Sequence, residues 1–374
     1  MKMRITALIF VASNLLSLVY KGEYIINLKK GTRTTLDAHI QSVKSLFNDR
    51  NNGNEIIQVY QHIGNMYHAK FSKDVLDKVR NLAEVDFIES DGKAHGQTVQ
   101  NNAPWGLARI SQRQFNNKST YTYSADGKGV VVYVVDTGVA VGHPEFEGRA
   151  VWGANFVNGS PNSDENGHGT HCAGTVGSRT YGVAKKVNIV AVKVLDKNSS
   201  GSWSSIIAGF NWVAGDLRGT KGNIISASLG GGKTDSVNNA VDAATSKGVL
   251  SVIAAMNDNS DACNVSPASA ETSFTIAASD VNDRKASFSN YGKCVDMIAP
   301  GVNVLSTWNN GGTNTISGTS MATPHVAGFA ATLYSSSSYT IPQIKAYIQN
   351  ISTKNVISGF NSDTKNYLLF NGSA

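Results

Sequence analysis

Residues 129–139 read GVVVYVVDTGV. Six consecutive apolar residues without polar alternation describe a strand buried on both faces, as in a parallel sheet covered by helices on each side. The run closes on Asp136 and a Thr-Gly turn, so a carboxylate stands at the carboxyl end of the strand. Comparable runs recur at 187–195, 223–228, 248–255 and 274–278, separated by helix-length segments. This alternation predicts an α/β fold with a doubly wound, mostly parallel sheet, whose chemistry collects at the carboxyl ends of the strands.

Upstream the period changes. Residues 24–28 read as a strand, and Leu36, Ile40, Val43 and Phe47 share one helical face. Strand-like runs at 55–62 and 66–71 follow. A second helix carrying Val75, Leu76, Val79 and Leu82 leads into a strand at 85–88. The order β-α-β-β-α-β predicts a small ferredoxin-like α+β domain. Residues 91–102 are polar and aperiodic, which predicts an exposed linker. At the start, a basic tetrapeptide precedes a largely apolar stretch over 5–20, short for a membrane span and typical of a secretory signal, with a short N-terminal anchor as the other reading. The expected organisation is therefore a signal at 1–20, the small domain at 21–95 and the large domain at 96–374.

Composition narrows the function classes. The chain of 374 residues is 41% hydrophobic and 16% charged, which suits a large globular core. Its net charge of +6 is thinly spread: no Lys/Arg run exceeds two residues and none interleaves with aromatics. A nucleic-acid interface is not expected, and neither is a membrane anchor once the signal is removed. Three cysteines in an exported chain allow one disulfide and one free thiol. The Asn-x-Ser/Thr sequons at Asn117, Asn158, Asn198, Asn264, Asn350 and Asn371 are about as many as chance gives in so polar a chain.

Three segments carry chemistry. VVDTGV places Asp136 at a strand end, NGHGTHCAGT (166–175) places His168 before a small-residue helix, and SGTSMATPHVAG (317–328) places Ser320 at a helix start. A serine nucleophile needs a neutral imidazole to take its proton and a buried carboxylate to fix the imidazole tautomer. Taken singly, each has another reading: a helix-capping aspartate, a loop histidine, a helix N-terminal serine. His168 and His171 have a zinc-like spacing, but no glutamate lies between them and no third ligand is evident. Gly-Thr-Ser-Met-Ala is also not the Gly-x-Ser-x-Gly elbow of α/β-hydrolases. The conjunction of all three residues is what argues for catalysis.

With SASLGGG, YGVAKKVNIVAVKVLD, FSNYGKCVD and IAPGVNVLSTW between them, these motifs resemble the subtilisin-like serine proteases, specifically the proteinase K and cerevisin branch, over about 103–330. The chain order Asp, His, Ser is the one known for subtilisin. The resemblance implies a catalytic triad of Asp136, His168 and Ser320, with His171 as a neighbour and not the base. It implies an oxyanion donor at Asn257 and a specificity pocket walled by Ser228, Leu229 and Gly230 and by Ala254, Ala255 and Met256. An edge strand at 199–202, including Gly201 and Ser202, would pair with extended polypeptide. The small domain resembles the inhibitor-type propeptide of that family, which templates folding, blocks the cleft and is cut off near 93–97. Cys172 falls where such enzymes keep a free cysteine, implying inhibition by mercury, and Cys263 and Cys294 fall where some relatives have a disulfide. No catalytic cofactor is implied. A structural calcium is implied at Asp296 with carbonyls near Glu271 and Ser273, although Glu271 replaces the family's proline. The expected protein is a monomeric, self-processing endopeptidase with apolar or aromatic preference, secreted or vacuolar; the alternative is a catalytically impaired relative acting by binding.

Two positions motivate that alternative, Met256 and Ala277, where relatives carry or often carry glycine. If position 256 requires a positive φ, methionine is strained there. The preferred expectation is an ordinary φ, with the side chain narrowing the pocket.

Overall fold

The computed structural model describes residues 19–31, 34–47, 53–92 and 96–373; most of the expected signal and positions 93–95 of the expected cut region lie outside them. The chain divides into two compact units, Met1–His95 and Gly96–Ala374.

In the first unit, β1 (Val19–Leu28), α1 (Leu36–Ser45), β2 (Glu55–Tyr60), β3 (Met66–Lys70), α2 (Lys73–Arg80) and β4 (Val85–Gly92) follow the expected order. The sheet is antiparallel with order β2-β3-β1-β4, the ferredoxin-like arrangement. Ile26, Tyr67 and Ala69 from the sheet meet Ile40, Val43, Val75 and Val79 from the helices in one buried core. The first strand begins earlier than its apolar run suggested, so it overlaps the end of the expected signal.

The second unit starts with a departure from expectation. Part of the anticipated linker is a strand, β5 (Thr98–Asn101), paired antiparallel with β6 (Thr120–Tyr123) on either side of the short helix α3 (Trp105–Ile110). Gln100 donates its side-chain amide to the Thr180 carbonyl at 2.9 Å. Polar side chains hid a strand whose stability comes from its hairpin partner and this tether.

The main sheet is built on β7 (Val130–Asp136), β8 (Ala150–Asn155), β9 (Asn188–Lys193) and β10 (Gly222–Ala227). A two-residue strand β11 (Gly231–Gly232) precedes β12 (Val249–Ala254), and a second, β13 (Val265–Ser266), precedes β14 (Phe274–Ser279) and β15 (Met297–Pro300). A separate hairpin, β16 (Val304–Thr307) with β17 (Thr313–Ile316), and the short C-terminal strands β18 (Thr353–Lys354) and β19 (Tyr367–Leu368) complete the set. The nine-stranded order is β18-β19-β15-β14-β12-β10-β7-β9-β8. All its pairings are parallel except β18 with β19.

The unbroken apolar run of β7 now has its reason. Val130, Val132 and Val134 enter the core shared with α4 (His168–Gly177), α7 (Thr319–Ser336) and α8 (Ile341–Ile351). Val131, Tyr133 and Val135 enter the opposite core, beneath α5 (Trp203–Gly215) and α6 (Asp235–Ser246). With both faces covered, neither set of alternate residues can be polar. The ends of β7, β10 and β12 lie side by side; Asp136, Ser228 and Asn257 stand at or just after them, while His168 and Ser320 stand at the starts of α4 and α7.

Candidate active site

Asp136 is the last residue of β7 and is fully buried. Its Oδ1 accepts the Thr137 backbone N–H at 2.7 Å and His168 Nδ1–H at 2.7 Å. Because a carboxylate only accepts, Nδ1 of His168 carries the proton and Nε2 is left as the basic nitrogen. Burial pulls the His168 pKa down, but the Asp136 charge, its hydrogen bond and the charge of Asp164 outweigh it. The net shift is upward from the ordinary 6.5. The helix starts here because Gly169 allows it: a β-carbon at 169 would strike the Gly138 carbonyl.

Asp164, which the motif reading passed over, builds this corner. Buried, it accepts hydrogen bonds from Thr137 Oγ1 (2.8 Å), Gly167 N (2.8 Å), Thr170 N (2.9 Å) and Thr170 Oγ1 (2.6 Å). It therefore ties the turn after Asp136 to both sides of His168. The signal was legible as an aspartate two residues before Asn-Gly-His, but one carboxylate in a polar stretch has no distinguishing spacing. His171, by contrast, is wholly buried and donates to the Val304 carbonyl at 2.9 Å; burial lowers its pKa to about 4. It is a neutral packing residue.

Ser320 stands in the first turn of α7, and Pro324 lies four residues on. Proline has no N–H, so the Ser320 carbonyl loses its helical donor. Two other groups supply it: Ser228 Oγ at 2.9 Å and the Cys172 thiol at 3.4 Å. The Ser320 hydroxyl in turn donates to the Ser228 carbonyl at 3.4 Å. Cys172 thus links the histidine helix to the serine helix. Its sulfur and the facing atoms of Asp136 and His168 lie within 4.8 Å of one another. Burial, with the Asp136 charge, pushes its thiol pKa well up, so it is a neutral donor and not a thiolate.

Asn257 follows β12. Its Oδ1 accepts Thr319 N–H (2.9 Å) and Thr319 Oγ1–H (3.1 Å), which commits Oδ1 to the backbone just before Ser320, while the residue itself is exposed. Asn290 braces the loop, accepting Asp258 N–H and Ser260 N–H on Oδ1 and donating its own N–H to the Met256 carbonyl. Neither Thr319 nor Asn290 was singled out from sequence, since their work is visible only once the loops meet.

Met256 has φ +78°. The preferred expectation of an ordinary backbone there is overturned: this is the left-handed region, where a non-glycine residue carries strain of roughly 1–2 kcal/mol. The conformation is enforced by Met256 N–H donating to Thr319 Oγ1 (3.1 Å) and by Asn290 gripping its carbonyl. The other half of that expectation concerned the side chain. A β-carbon on Gly230 would lie 2.8 Å from Met256 Sδ, so the thioether packs against Gly230.

The subtilase family model matches residues 127–366, and the peptidase inhibitor I9 model matches residues 23–96. The chain belongs to the subtilase family. A cuticle-degrading protease of Metarhizium anisopliae is 51% identical, the match covering 84% of this chain and 82% of that protein. Alkaline protease 2 of Aspergillus fumigatus is 43% identical, over 82% of this chain and 68% of that one. Among solved structures, a cold adapted subtilisin-like serine proteinase superposes with a TM-score of 0.69 at 45% identity, covering 72% of this chain and 98% of that one. This subtilase is a serine endopeptidase made as a proenzyme with an inhibitor domain in front of the peptidase. Its chemistry needs no catalytic cofactor.

Around the subtilase centre, Ser228, Leu229, Ala254 and Ala255 are buried at the ends of β10 and β12, with Gly230 and Met256 at the rim. The expected edge strand at 199–202 is not formed. Asp196 accepts Asn198 N–H (2.8 Å) and Ser200 N–H (3.0 Å), folding the segment into a turn, and Ser202 caps α5 through Ser205 N–H (3.1 Å). Gly201 alone leaves both backbone groups without a partner among the described residues. It borders a groove of about 380 Å³ lined also by Phe156, Val194 and Ser205.

Cys263 and Cys294 form a disulfide across a separation of 31 residues, which the chain-entropy model values at about 3–4 kcal/mol. At the expected calcium position, two of the oxygens meet lysines of the chain. Asp296 Oδ1 accepts Lys365 Nζ–H at 2.8 Å, and the Ser273 carbonyl accepts Lys345 Nζ–H at 2.7 Å. Glu23, His68 and Asp91 are the other metal-like group among the described residues, with the Glu23 and Asp91 carboxylates 3.3 Å and 3.6 Å from His68 Nε2.

Proposed function

We propose that this subtilase is an exported, self-processing, monomeric endopeptidase that cuts extended polypeptides after small or slender apolar residues. The observation that carries the catalytic reading is the 2.7 Å contact of buried Asp136 with His168 Nδ1, which leaves Nε2 to take the Ser320 proton once that hydroxyl turns from the Ser228 carbonyl. Asn257 supplies a preset donor to the oxyanion, its orientation held by Thr319. Gly201 offers a free N–H and C=O for β-type pairing with substrate. Export is supported by the basic and apolar N-terminal residues and by the disulfide. No helix among the described residues is long and apolar enough to cross a membrane.

Two variants probe this arrangement. Asn257→Ala is expected to lower kcat by about 10²- to 10³-fold, the loss typical of removing one oxyanion donor, with KM nearly unchanged. A change confined to KM would count against the role. Met256→Gly should relieve the backbone strain and empty the space facing Gly230. It is expected to raise kcat/KM for cleavage after Phe or Tyr by about 10- to 200-fold relative to cleavage after Ala. Digestion of a peptide library by the mature protein tests the reading as a whole. Cleavage concentrated after small apolar residues supports it, and preferred cleavage after Phe and Tyr by the unmodified protein would refute the narrowed pocket.

A further inference from the structure

The corner around Asp296 joins the starts of two neighbouring parallel strands, β14 and β15. The Asp296 carboxylate accepts the Thr275 N–H on Oδ2 at 3.2 Å and the Lys365 ammonium on Oδ1 at 2.8 Å. Lys345, from α8, places its ammonium on the Ser273 carbonyl at 2.7 Å and the Thr272 carbonyl at 3.3 Å, and over the Phe274 ring at 5.4 Å. One turn further along α8, Gln349 reaches the Asp296 backbone carbonyl at 3.4 Å. Two of the oxygens that would converge on a divalent ion, Asp296 Oδ1 and the Ser273 carbonyl, are therefore already engaged by cations of the chain itself.

We propose that Lys345 and Lys365 stand in for the structural calcium ion at Asp296, so that the C-terminal segment of this protein, and not a dissolved metal, pins the starts of β14 and β15. A calcium ion needs six to eight oxygens at 2.3–2.6 Å. Seating one between Ser273 and Asp296 would bring a double positive charge against two ammonium groups. Lys345 is half-buried, and burial lowers its pKa while the Asp296 and Asp242 charges oppose that shift. Its ammonium is worth keeping in place only because directed acceptors meet it. A covalently tethered cation also removes the dependence on ligand concentration that an ion site imposes on stability.

The test is thermal unfolding of the full chain carrying Ser320→Ala, which prevents autolysis. All five tryptophans lie at or after residue 105, so tryptophan fluorescence reports the peptidase domain alone. The quantity read is the Tm shift between 5 mM EDTA and 5 mM CaCl₂ (about 5 mM each, far above typical extracellular-site dissociation constants), compared between this chain and its Asp296→Asn form. The two shifts are expected to be equal. A shift that Asp296→Asn abolishes would overturn the proposal. The Lys345→Met, Lys365→Met double variant should melt lower by about 2–4 °C and should now be raised by calcium, because the oxygens are released. A double variant as stable as its parent would also overturn it.

Discussion

The Ser320→Ala chain should accumulate uncut, with the inhibitor domain still joined to the peptidase domain. The unmodified chain should lose the segment preceding Gly96. Removing the nucleophile of such a triad costs about 10⁶-fold in kcat, which leaves no self-cleavage on any practical timescale. Geometry bounds the cut as well. The strand β5 begins at Thr98 and is held by β6 and by the Gln100 tether, so a cut upstream of it frees the inhibitor domain without dismantling the hairpin. Intact-mass measurement of the two proteins checks both points. Normal maturation of Ser320→Ala would assign the cut to another protease.

Asp136→Asn should lower kcat by about 10⁴-fold while the fold survives, since the amide is nearly the same size as the carboxylate. The asparagine cannot hold the Nδ1–H tautomer and cannot stabilise the imidazolium formed in the reaction. The pH dependence carries a second, independent sign. His168 works as a base only when neutral, so activity falls as pH drops through its pKa, and in the unmodified enzyme that limb lies above 6.5. Burial lowers the pKa and the Asp136 charge raises it; deleting the charge leaves burial in control. The acid limb of kcat/KM in Asp136→Asn should therefore move to lower pH. A limb that stays in place would mean that Asp136 does not set the His168 equilibrium.

The sheet was legible in the sequence because its strands are buried on both faces, and a run such as 129–135 has few other uses. The small domain was legible through its change of period, and the triad through the coincidence of three motifs at element ends. What stayed hidden depends on contacts distant in the chain. The strand at 98–101 is polar and exists because of 120–123. The positive φ of Met256 comes from Thr319 and Asn290 holding its two backbone groups. Asp164 organises the histidine corner through four short hydrogen bonds that no spacing announces. The cationic partners at the expected calcium position were hidden for a similar reason. Asp296 sits where the family pattern puts it, but the lysines that meet its carboxylate (Lys365) and the Ser273 carbonyl (Lys345) come from the segment after Tyr334, where that pattern could no longer be followed.

Labelling with a fluorophosphonate tests the central claim, that Asp136, His168 and Ser320 form one working triad in the mature protein. Mass mapping of the tryptic peptides should locate a stoichiometric adduct on Ser320, formed rapidly in the unmodified enzyme and absent when His168→Ala is treated alongside. An enzyme left unlabelled, or an adduct on any other residue, would contradict it.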